Sequence, residues 1–266
     1  MTLAQGIAFG VVQGLTEFLP VSSSAHLTLL PWLLGWEDPG LGFDVALHVG
    51  TLFAVLWYFW RDWWELARAA ATHLGDPAAS PQAQLFWKIA VASIPAAIIG
   101  VAFEHKAEEA FRAPALIALA LAALGALLYW SDQRPESESR VEAIDWRDAI
   151  WIGLAQSAAI VPGVSRSGVT ITVARLRGVG REASARFSFL LSTPVIAGAA
   201  LLKIRALVAA GHDPAQLAAL VASALCGFAA IGGLIRYVRS RSYRPFVFYR
   251  FAVAAFVVAV LLTRGS

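Results

Sequence analysis

Apolar segments of helix length recur from one end of the chain to the other, and short polar or charged stretches separate them. A helix of about 20 apolar residues crosses the ~30 Å hydrocarbon core of a bilayer. The strict alternation of apolar and polar residues that marks a transmembrane β-strand does not recur. We therefore predict an all-α polytopic membrane protein with six transmembrane helices. Their predicted bounds are residues 43–60, 85–103, 114–131, 184–203, 214–238 and 245–263.

Two further apolar regions are interrupted in the middle and are too short to cross as single helices. The first joins residues 3–18 to residues 27–36 across Pro20, and the second joins residues 146–161 to residues 169–176 across a Pro-Gly pair. Proline breaks a helix, and irregular backbone at membrane depth is tolerated only where protein covers it or where it lines a cavity. We therefore predict two broken, re-entrant helical hairpins.

The two halves of the chain resemble each other. The sequence of residues 10–13 before the first break is similar to that of residues 153–156 before the second, and residues 91–93 recur as residues 221–223. A pair of interrupted segments at corresponding positions of two halves indicates a binding site between repeats near the middle of the membrane. The chain is then one integral-membrane domain made of two repeats, at about 1–131 and 146–266, with a linker at 132–145.

Lysine and arginine are unevenly distributed between the two sides that this topology defines. One side carries Arg61, Arg68, Arg134, Arg140, Arg147, Arg175, Arg177, Arg181, Arg186, Arg236, Arg239, Arg241, Arg244 and Arg250. The other side carries Lys106, Arg112, Lys203, Arg205 and Arg264. The positive-inside rule makes the first side cytoplasmic. Both termini are then outside, the first hairpin enters from outside and the second from the cytoplasm, so the repeats are predicted to be inverted.

Composition supports the membrane assignment and excludes other classes. Only 15% of the residues are charged, 58% are hydrophobic, and the mean hydropathy is +0.64, whereas a soluble domain carries about 25% charged residues. The net charge is +3, and the arginines sit in separate short loops, so we predict no nucleic-acid partner. The single Cys226 excludes disulfides within the chain and a cysteine-based metal site.

Both breaks carry polar groups that suit chemistry on an anion. In the first, Glu17, three serines and His26 lie at membrane depth, where ionisable groups usually mark a site. A hydroxyl such as Ser23, one helical turn from an imidazole and near a carboxylate, is the arrangement of an activated nucleophile. The second contributes Arg166 on a Gly-rich loop, and the N-termini of both second half-helices would face the same cavity. We predict a phosphate ligand, and at this depth a lipid phosphate.

These same residues carry a family resemblance. The stretch Gln-Gly-Leu-Thr-Glu-Phe-Leu-Pro-Val-Ser-Ser-Ser-Ala-His at residues 13–26 and the stretch Pro-Gly-Val-Ser-Arg-Ser-Gly at residues 162–168 closely resemble the two signature motifs of bacterial undecaprenyl-diphosphate phosphatase, the bacitracin-resistance family. The resemblance continues through residues 47–51, 187–190 and 249–251, and so covers nearly the whole chain.

The resemblance implies a multi-pass enzyme of the bacterial cytoplasmic membrane. It would hydrolyse undecaprenyl diphosphate to undecaprenyl phosphate and phosphate, which recycles the lipid carrier of cell-wall synthesis and gives bacitracin resistance. The substrate is a polyprenyl diphosphate among membrane lipids, a homodimer is compatible with this interpretation, and the outward-facing first hairpin suggests access from the periplasmic or extracellular face. The resemblance also suggests a divalent cation, Mg²⁺ or Ca²⁺, and no organic cofactor.

The predicted site residues follow from the two motifs. The predicted catalytic residues are Glu17, Ser23, His26 and Arg166. The predicted substrate-binding residues are Gln13, Ser22, Ser24, Gly163, Ser165, Ser167, Gly168 and Thr170. Glu17 is the only carboxylate placed in the cavity, and Gln13 stands where many relatives have a second one, which weakens the case for a metal held by the protein. Ser24-Ala25 replaces a common Thr-Gly and keeps a hydroxyl.

Several alternatives remain open at this stage. Ser23 is predicted to attack the terminal phosphorus while His26 handles the proton, but His26 itself or a water under Glu17 could attack instead. Arg166 could be a structural partner of Glu17, and His48 could be a buried histidine without a role in the site. Inverted repeats with broken helices also describe secondary transporters or flippases of a lipid phosphate. Another lipid-phosphatase fold is less favoured, because no Lys- and Arg-rich phosphate motif precedes Pro20.

Overall fold

A computed structural model describes residues 1–135, 140–203 and 213–264, with the side chains of residues 41 and 104–110 left aside. The described chain is helical throughout, with no β-strand. Its α-helices are α1 Leu3–Phe18, α2 Ser23–Leu34, α3 Leu41–Tyr58, α4 Trp60–Thr72, α5 Pro81–Ala110, α6 Pro114–Asp132, α7 Trp146–Gln156, α8 Arg166–Leu176, α9 Arg181–Leu202, α10 Pro214–Val238 and α11 Arg244–Arg264.

Five of these helices are long and apolar enough to cross a membrane: α5, α6, α9, α10 and α11. A sixth span is obtained when α3 and α4 are counted together, and these two helices meet at an angle of 75°. The predicted all-helical polytopic architecture is confirmed, and the chain is an integral membrane protein. The remaining helices, α1, α2, α7 and α8, have 16, 12, 11 and 11 residues and belong to the two interrupted regions.

Helix α4 is the main element that the sequence pattern did not predict. Its apolar residues lie on one face only, so it lacks the continuous apolar run by which the spans were recognised. Leu66 and Ala70 are buried, α4 packs against α5, and Asp62 pairs with Arg186 at the start of α9. Helix α5 also begins earlier than predicted, because Ser80 caps it: its hydroxyl accepts a hydrogen bond from the N–H of Ala83.

Both interruptions have the same local geometry. Ser22 and Ser165 are the only non-glycine residues of the described chain with positive φ, at 76° and 70°. Each serine is an N-cap: the Ser22 hydroxyl accepts from the N–H of Ala25, and the Ser165 hydroxyl accepts from the N–H of Gly168. The second half-helices therefore begin at Ser23 and Arg166, four and three residues before the apolar segments at residues 27–36 and 169–176.

The first helix of each half packs on a helix of the other half. Helix α1 lies against α10 through Gly6, Gly10 and Gly14, where a Cβ would overlap backbone carbonyl oxygens of α10. Helix α7 lies against α5 through Gly153, where a Cβ would overlap the carbonyl of Ala92. Small residues allow this close approach of helices in a membrane. The element order α1–α3, α5, α6 recurs as α7–α11, and the inverted relation of the halves stays a prediction.

Two arginines that were counted as cytoplasmic surface charges are fully buried. Arg175 donates to the backbone carbonyls of Val179 and Arg134, and Arg250 lies between α6 and the two interrupted loops. A guanidinium can satisfy several carbonyls at once, which is why arginine can be buried where the backbone is irregular. The charge asymmetry that orients the chain remains without these two residues. Arg205, the linker residues 136–139 and the side chain of Lys106 lie outside the described residues.

Candidate active site

Glu17, at the end of α1, is the centre of a polar cluster between the two loops. Its Oε1 accepts from Nη2 of Arg166 at 2.6 Å, and its Oε2 accepts from the hydroxyl of Ser23 at 2.5 Å. The Oε2 also accepts from Nε2 of Gln13 at 3.1 Å and lies 3.8 Å from Nε2 of His48. The carboxylate therefore joins one loop's hydroxyl to the other loop's guanidinium.

Direct hydrogen bonds join the tips of the two loops. The N–H of Gly163 donates to the hydroxyl of Ser22 at 3.0 Å, and the hydroxyl of Ser167 donates to the carbonyl of Leu19 at 3.0 Å. Each loop therefore satisfies a backbone group that the other loop's interruption leaves without a helical partner. The structure thus places residues 22–26 and 163–168 in one site, as the sequence analysis requires.

Arg250, in the middle of α11, ties both loops to α6. Its guanidinium donates to the carbonyl of Pro20 at 3.1 Å in the first loop and to that of Gly163 at 2.7 Å in the second. It also donates to the carbonyls of Leu121 at 3.0 Å and Ala120 at 3.3 Å in α6. One buried side chain therefore sets the position of both loops. The sequence analysis missed this role, although Arg250 lies in one of the matched motifs.

A cavity of about 260 Å³ opens beside the cluster. Helices α5 and α9 and the short 3₁₀ helix Ser157–Ile160 form its other walls. Its polar lining consists of Glu17, Ser23, Ser24, His48, Gln156, Ser157, Ser165 and Arg166. The carboxylate, the guanidinium and the nucleophilic hydroxyl thus share one accessible space.

Several buried polar atoms of residues that line this cavity have no hydrogen-bond partner among the residues that the structure describes. They are Nη1 of Arg166, the hydroxyl of Ser157 and both side-chain amide atoms of Gln156. Buried polar groups are nearly always hydrogen-bonded, so a set of them around one cavity indicates a polar ligand. Gln156 occupies in the second half the position of Gln13 in the first, which is the sequence feature that could have identified it.

The ring nitrogens of His26 are bonded to groups other than Ser23 and Glu17. Its Nδ1 lies 2.7 Å from the carbonyl of Ser22 and must be the protonated nitrogen, because a carbonyl only accepts. Its Nε2 then accepts from the hydroxyl of Tyr249 at 2.7 Å, and the two rings are stacked. Both ring nitrogens are occupied, so the relay from Ser23 through His26 to Glu17 that the sequence suggested is not formed.

His48 is the histidine whose ring nitrogen faces Glu17, at 3.8 Å. Its Nδ1 donates to the carbonyl of Asp44 at 2.7 Å, which leaves Nε2 as the basic nitrogen facing Glu17 and the cavity. In the sequence, His48 lies in the third matched motif, at residues 47–51, which carries no serine or arginine that would mark it as part of the site.

The other predicted binding residues divide into two groups. Ser24 and Ser165 line the cavity. The hydroxyl of Thr170 bonds the carbonyl of Arg166 and the hydroxyl of Ser188. The remaining residues lie away from the cavity lining and hold the loops or Glu17: Gln13, Ser22, Gly163, Ser167 and Gly168.

The cluster does not suit a metal ion held by the protein. Both oxygens of Glu17 already accept hydrogen bonds, and its second oxygen accepts two. Among the residues that the structure describes, no group of three or more His, Cys, Asp and Glu side chains could hold an ion. Glu17, which the sequence left as the only likely protein ligand of an unassigned metal, already has hydrogen-bond partners on both of its oxygens.

Comparison with known proteins shows which family the chain belongs to. The model of the bacitracin resistance protein BacA family matches residues 6–256. The chain belongs to this family. It is similar to the undecaprenyl-diphosphatase of Moorella thermoacetica, with 50% identity over 99% of this chain and 100% of the relative. It is also similar to the undecaprenyl-diphosphatases of Pelotomaculum thermopropionicum, at 44% identity, and Desulforudis audaxviator, at 49%, each over 98% or more of both chains. The BacA family resemblance in the sequence is thereby confirmed.

Proposed function

We propose that this protein hydrolyses undecaprenyl diphosphate to undecaprenyl phosphate and inorganic phosphate. The observation that carries the proposal is the Ser23 hydroxyl bonded to Glu17, with Arg166 on the other carboxylate oxygen and all three on one cavity. Membership of the BacA family and the names of the similar proteins support the same reaction and substrate.

The proposed first step is attack by Ser23 on the terminal phosphorus. Its hydroxyl proton passes to Oε2 of Glu17, which it already contacts. The bond between the terminal phosphorus and the bridging oxygen breaks, and undecaprenyl phosphate leaves. A phosphate monoester has a second pKa of about 6, so this leaving group needs no strong acid. Arg166 Nη1 and the N-terminus of α8 stabilise the charge on the transferring phosphoryl group.

The proposed second step is hydrolysis of the phosphoserine. A water attacks the same phosphorus, and its proton passes to Nε2 of His48, which lies 3.8 Å from the carboxylate. The bond between phosphorus and Ser23 Oγ breaks, the serine oxygen takes back the proton that Glu17 accepted in the first step, inorganic phosphate leaves, and His48 releases its proton to water. One water is consumed in each cycle, and Arg166 remains hydrogen-bonded to Glu17 throughout.

We place the enzyme in the bacterial cytoplasmic membrane with both termini outside. The distribution of lysine and arginine supports this orientation, and it opens the cavity towards the periplasmic or extracellular face. In that position the enzyme recycles the lipid carrier of cell-wall synthesis and protects against bacitracin. Since Glu17 is not free to bind a metal, we propose that any Mg²⁺ or Ca²⁺ enters with the substrate phosphates.

A transporter is the alternative class, and the site favours it less. Carrying a lipid phosphate would use Arg166 but gives no reason for a serine hydroxyl bonded to a carboxylate at the cavity wall. Purified protein in detergent separates the two classes, because transport requires a membrane and hydrolysis does not. Release of inorganic phosphate from undecaprenyl diphosphate in micelles is the expected result. Binding of the lipid without phosphate release would favour the transporter.

Radiolabelled substrate identifies the nucleophile. Brief incubation with undecaprenyl diphosphate labelled in its terminal phosphate, followed by denaturation at neutral pH, in which phosphoserine and phosphohistidine both survive, should leave label on a peptide that contains Ser23. The Ser23→Ala variant should carry no label, whereas Ser24→Ala, the neighbouring hydroxyl on the same cavity, should keep it. Label on His48 would contradict attack by Ser23. So would the absence of label from protein that still releases phosphate.

Substitution of the two histidines tests which of them serves the reaction. We expect His48→Gln to lower kcat by about 10²-fold, because a group that transfers protons contributes at least that much. His26→Gln should keep kcat within a few-fold, since glutamine can hydrogen-bond both the Ser22 carbonyl and Tyr249. The measurement is phosphate release at saturating undecaprenyl diphosphate. The opposite pattern would restore the assignment made from the sequence.

A further inference from the structure

An apolar groove of about 340 Å³ runs between α5 and α9. Small residues form much of it, including Ala97, Gly100 and Gly198, and it extends to Leu202 and Lys203 at the end of α9. Its one hydroxyl, that of Ser93, donates to the carbonyl of Ile89 within α5 and so requires no ligand. Apart from Lys203 at its far end, the groove therefore offers a ligand only apolar contacts.

The groove is continuous with the cavity of the active site. Five residues line both spaces: Ala96, Gly100, Ile160, Val195 and Ala199. A second apolar groove, of about 690 Å³ between α6 and α11, has no lining residue in common with the cavity. Among these two grooves of the described structure, only the one between α5 and α9 leads to Ser23 and Arg166.

Two helical glycines leave the groove open. A Cβ built on Gly100 or Gly198 has no atom within 4 Å, whereas a Cβ on Gly10 or Gly153 would overlap a neighbouring helix. Close helix packing therefore explains Gly10 and Gly153 but does not explain Gly100 and Gly198. The absence of a side chain at both positions keeps the groove open.

The polar groups at the inner end of the groove point to the kind of ligand. The amide of Gln156 is 2% exposed and lacks a partner at both atoms, and the hydroxyl of Ser157 beside it also lacks one. Both residues line the cavity, and Ile160, which follows them in the same short helical stretch, lines the groove as well. Polar groups without partners at one end and an apolar groove at the other match a ligand with a polar head and a hydrocarbon chain.

We propose that the groove between α5 and α9 binds the first isoprene units of a prenyl diphosphate, which enters sideways from the bilayer between these two helices. Gln156 and Ser157 then hydrogen-bond the diphosphate oxygens that Arg166 does not hold. The inference rests on the proposed function, because it names the part of the protein that receives the chain of that substrate. Gly198, which lines the groove but not the cavity, is a determinant of chain accommodation.

Substitution of Gly198 by leucine tests the groove by filling it. The control is Gly233→Leu in α10, an exposed glycine at which a Cβ also meets no atom. We expect Gly198→Leu to lower kcat/KM for farnesyl diphosphate by about tenfold or more, since one misplaced methylene in a fitted pocket changes kcat/KM by ~10–200-fold. For dimethylallyl diphosphate, with one isoprene unit, kcat/KM should change less than about twofold. Gly233→Leu should affect neither substrate.

Equal losses of kcat/KM on both substrates, or no loss on farnesyl diphosphate, would overturn the proposal. A photoreactive prenyl diphosphate applied to the unsubstituted protein provides a second test that needs neither turnover nor a stable variant. Its label is expected on residues 96–101 and 194–202, and label between α6 and α11 would overturn the proposal. If the unsubstituted protein released no phosphate from undecaprenyl diphosphate, the proposed function would fail, while the position of the photoreactive label would still decide whether the groove binds the chain.

Discussion

Replacement of Arg166 by lysine should lower kcat for undecaprenyl diphosphate by about 10²–10³-fold, the scale that follows from the loss of one donor at a developing charge. The Arg166 guanidinium uses Nη2 to hold Glu17 Oε1 at 2.6 Å, and its Nη1 has no hydrogen-bond partner in the described part of the chain. It can therefore orient the carboxylate and bind a phosphoryl oxygen at the same time. A lysine keeps the charge but lacks the planar guanidinium, so it can bind either the carboxylate or the phosphoryl oxygen but not both.

A matched control for Arg166 exists at the other end of α8. Arg177 forms an ion pair of the same 2.6 Å length with Asp148, but it is exposed at the C-terminus of the helix. Exposed pairs contribute only about 0–1 kcal/mol, so Arg177→Lys should keep kcat and KM near those of the unsubstituted protein. Added guanidinium should partly restore Arg166→Ala. Turnover of Arg166→Lys within about threefold of normal at saturating substrate would refute the role in the transition state, given the much larger loss expected.

Replacement of Arg250 by lysine should reduce both stability and turnover. Arg250 is fully buried and donates to carbonyls of α6, of Pro20 and of Gly163. An ammonium group cannot reach all of these carbonyls from one position, and each buried carbonyl left without a donor costs about 1–3 kcal/mol. We expect a lower midpoint of thermal unfolding in detergent and a fall in kcat of about 10²-fold, because small misplacement of reacting groups has that effect.

The control for Arg250 lies in the same helix. Arg244, in the first turn of α11, is exposed and contacts the ring of Tyr129 only as a cation at 5.9 Å. Arg244→Lys should change neither stability nor turnover appreciably. Hydrogen–deuterium exchange separates a local effect of Arg250→Lys from general unfolding: backbone amides of residues 19–22 and 163–165 should exchange faster while those of α10 stay protected. Unchanged exchange in both loops would show that Arg250 does not position them.

Particular elements show how far local sequence determined the fold. The long apolar spans and the breaks at Pro20 and Pro162 could be predicted because membrane thickness and proline geometry act on short stretches of chain. Helix α4 could not, since its partly polar pattern becomes a helix with a defined direction only when Leu66 packs on α5 and Asp62 pairs with Arg186. The bend of 75° at Phe59 is a result of that packing.

The active site shows the same division. The sequence by itself identified Glu17, Ser23 and Arg166 as chemical groups, because ionisable and nucleophilic residues at membrane depth are costly and stand out in an apolar chain. The sequence could not show whether His26 or His48 faces Glu17, because both histidines lie in helices that border the predicted site. The direction of each imidazole depends on partners that are distant in the sequence. The Nε2 of His26 is hydrogen-bonded to the hydroxyl of Tyr249, whereas the Nε2 of His48 faces Glu17.

The sequence thus determined the membrane class, the two interruptions and the residue types that carry the chemistry, because each of these depends on composition or on neighbours within a few residues. Only the tertiary structure decided which histidine faces the carboxylate, that Arg250 positions both loops, and which groove reaches the cavity. These features join residues that are far apart in the chain, such as Pro20 and Arg250 or Ala96 and Ala199, and they exist only after the helices have packed. The physical reason is that the direction of a side chain and the shape of a cavity are set by contacts across helices, which a linear pattern does not contain.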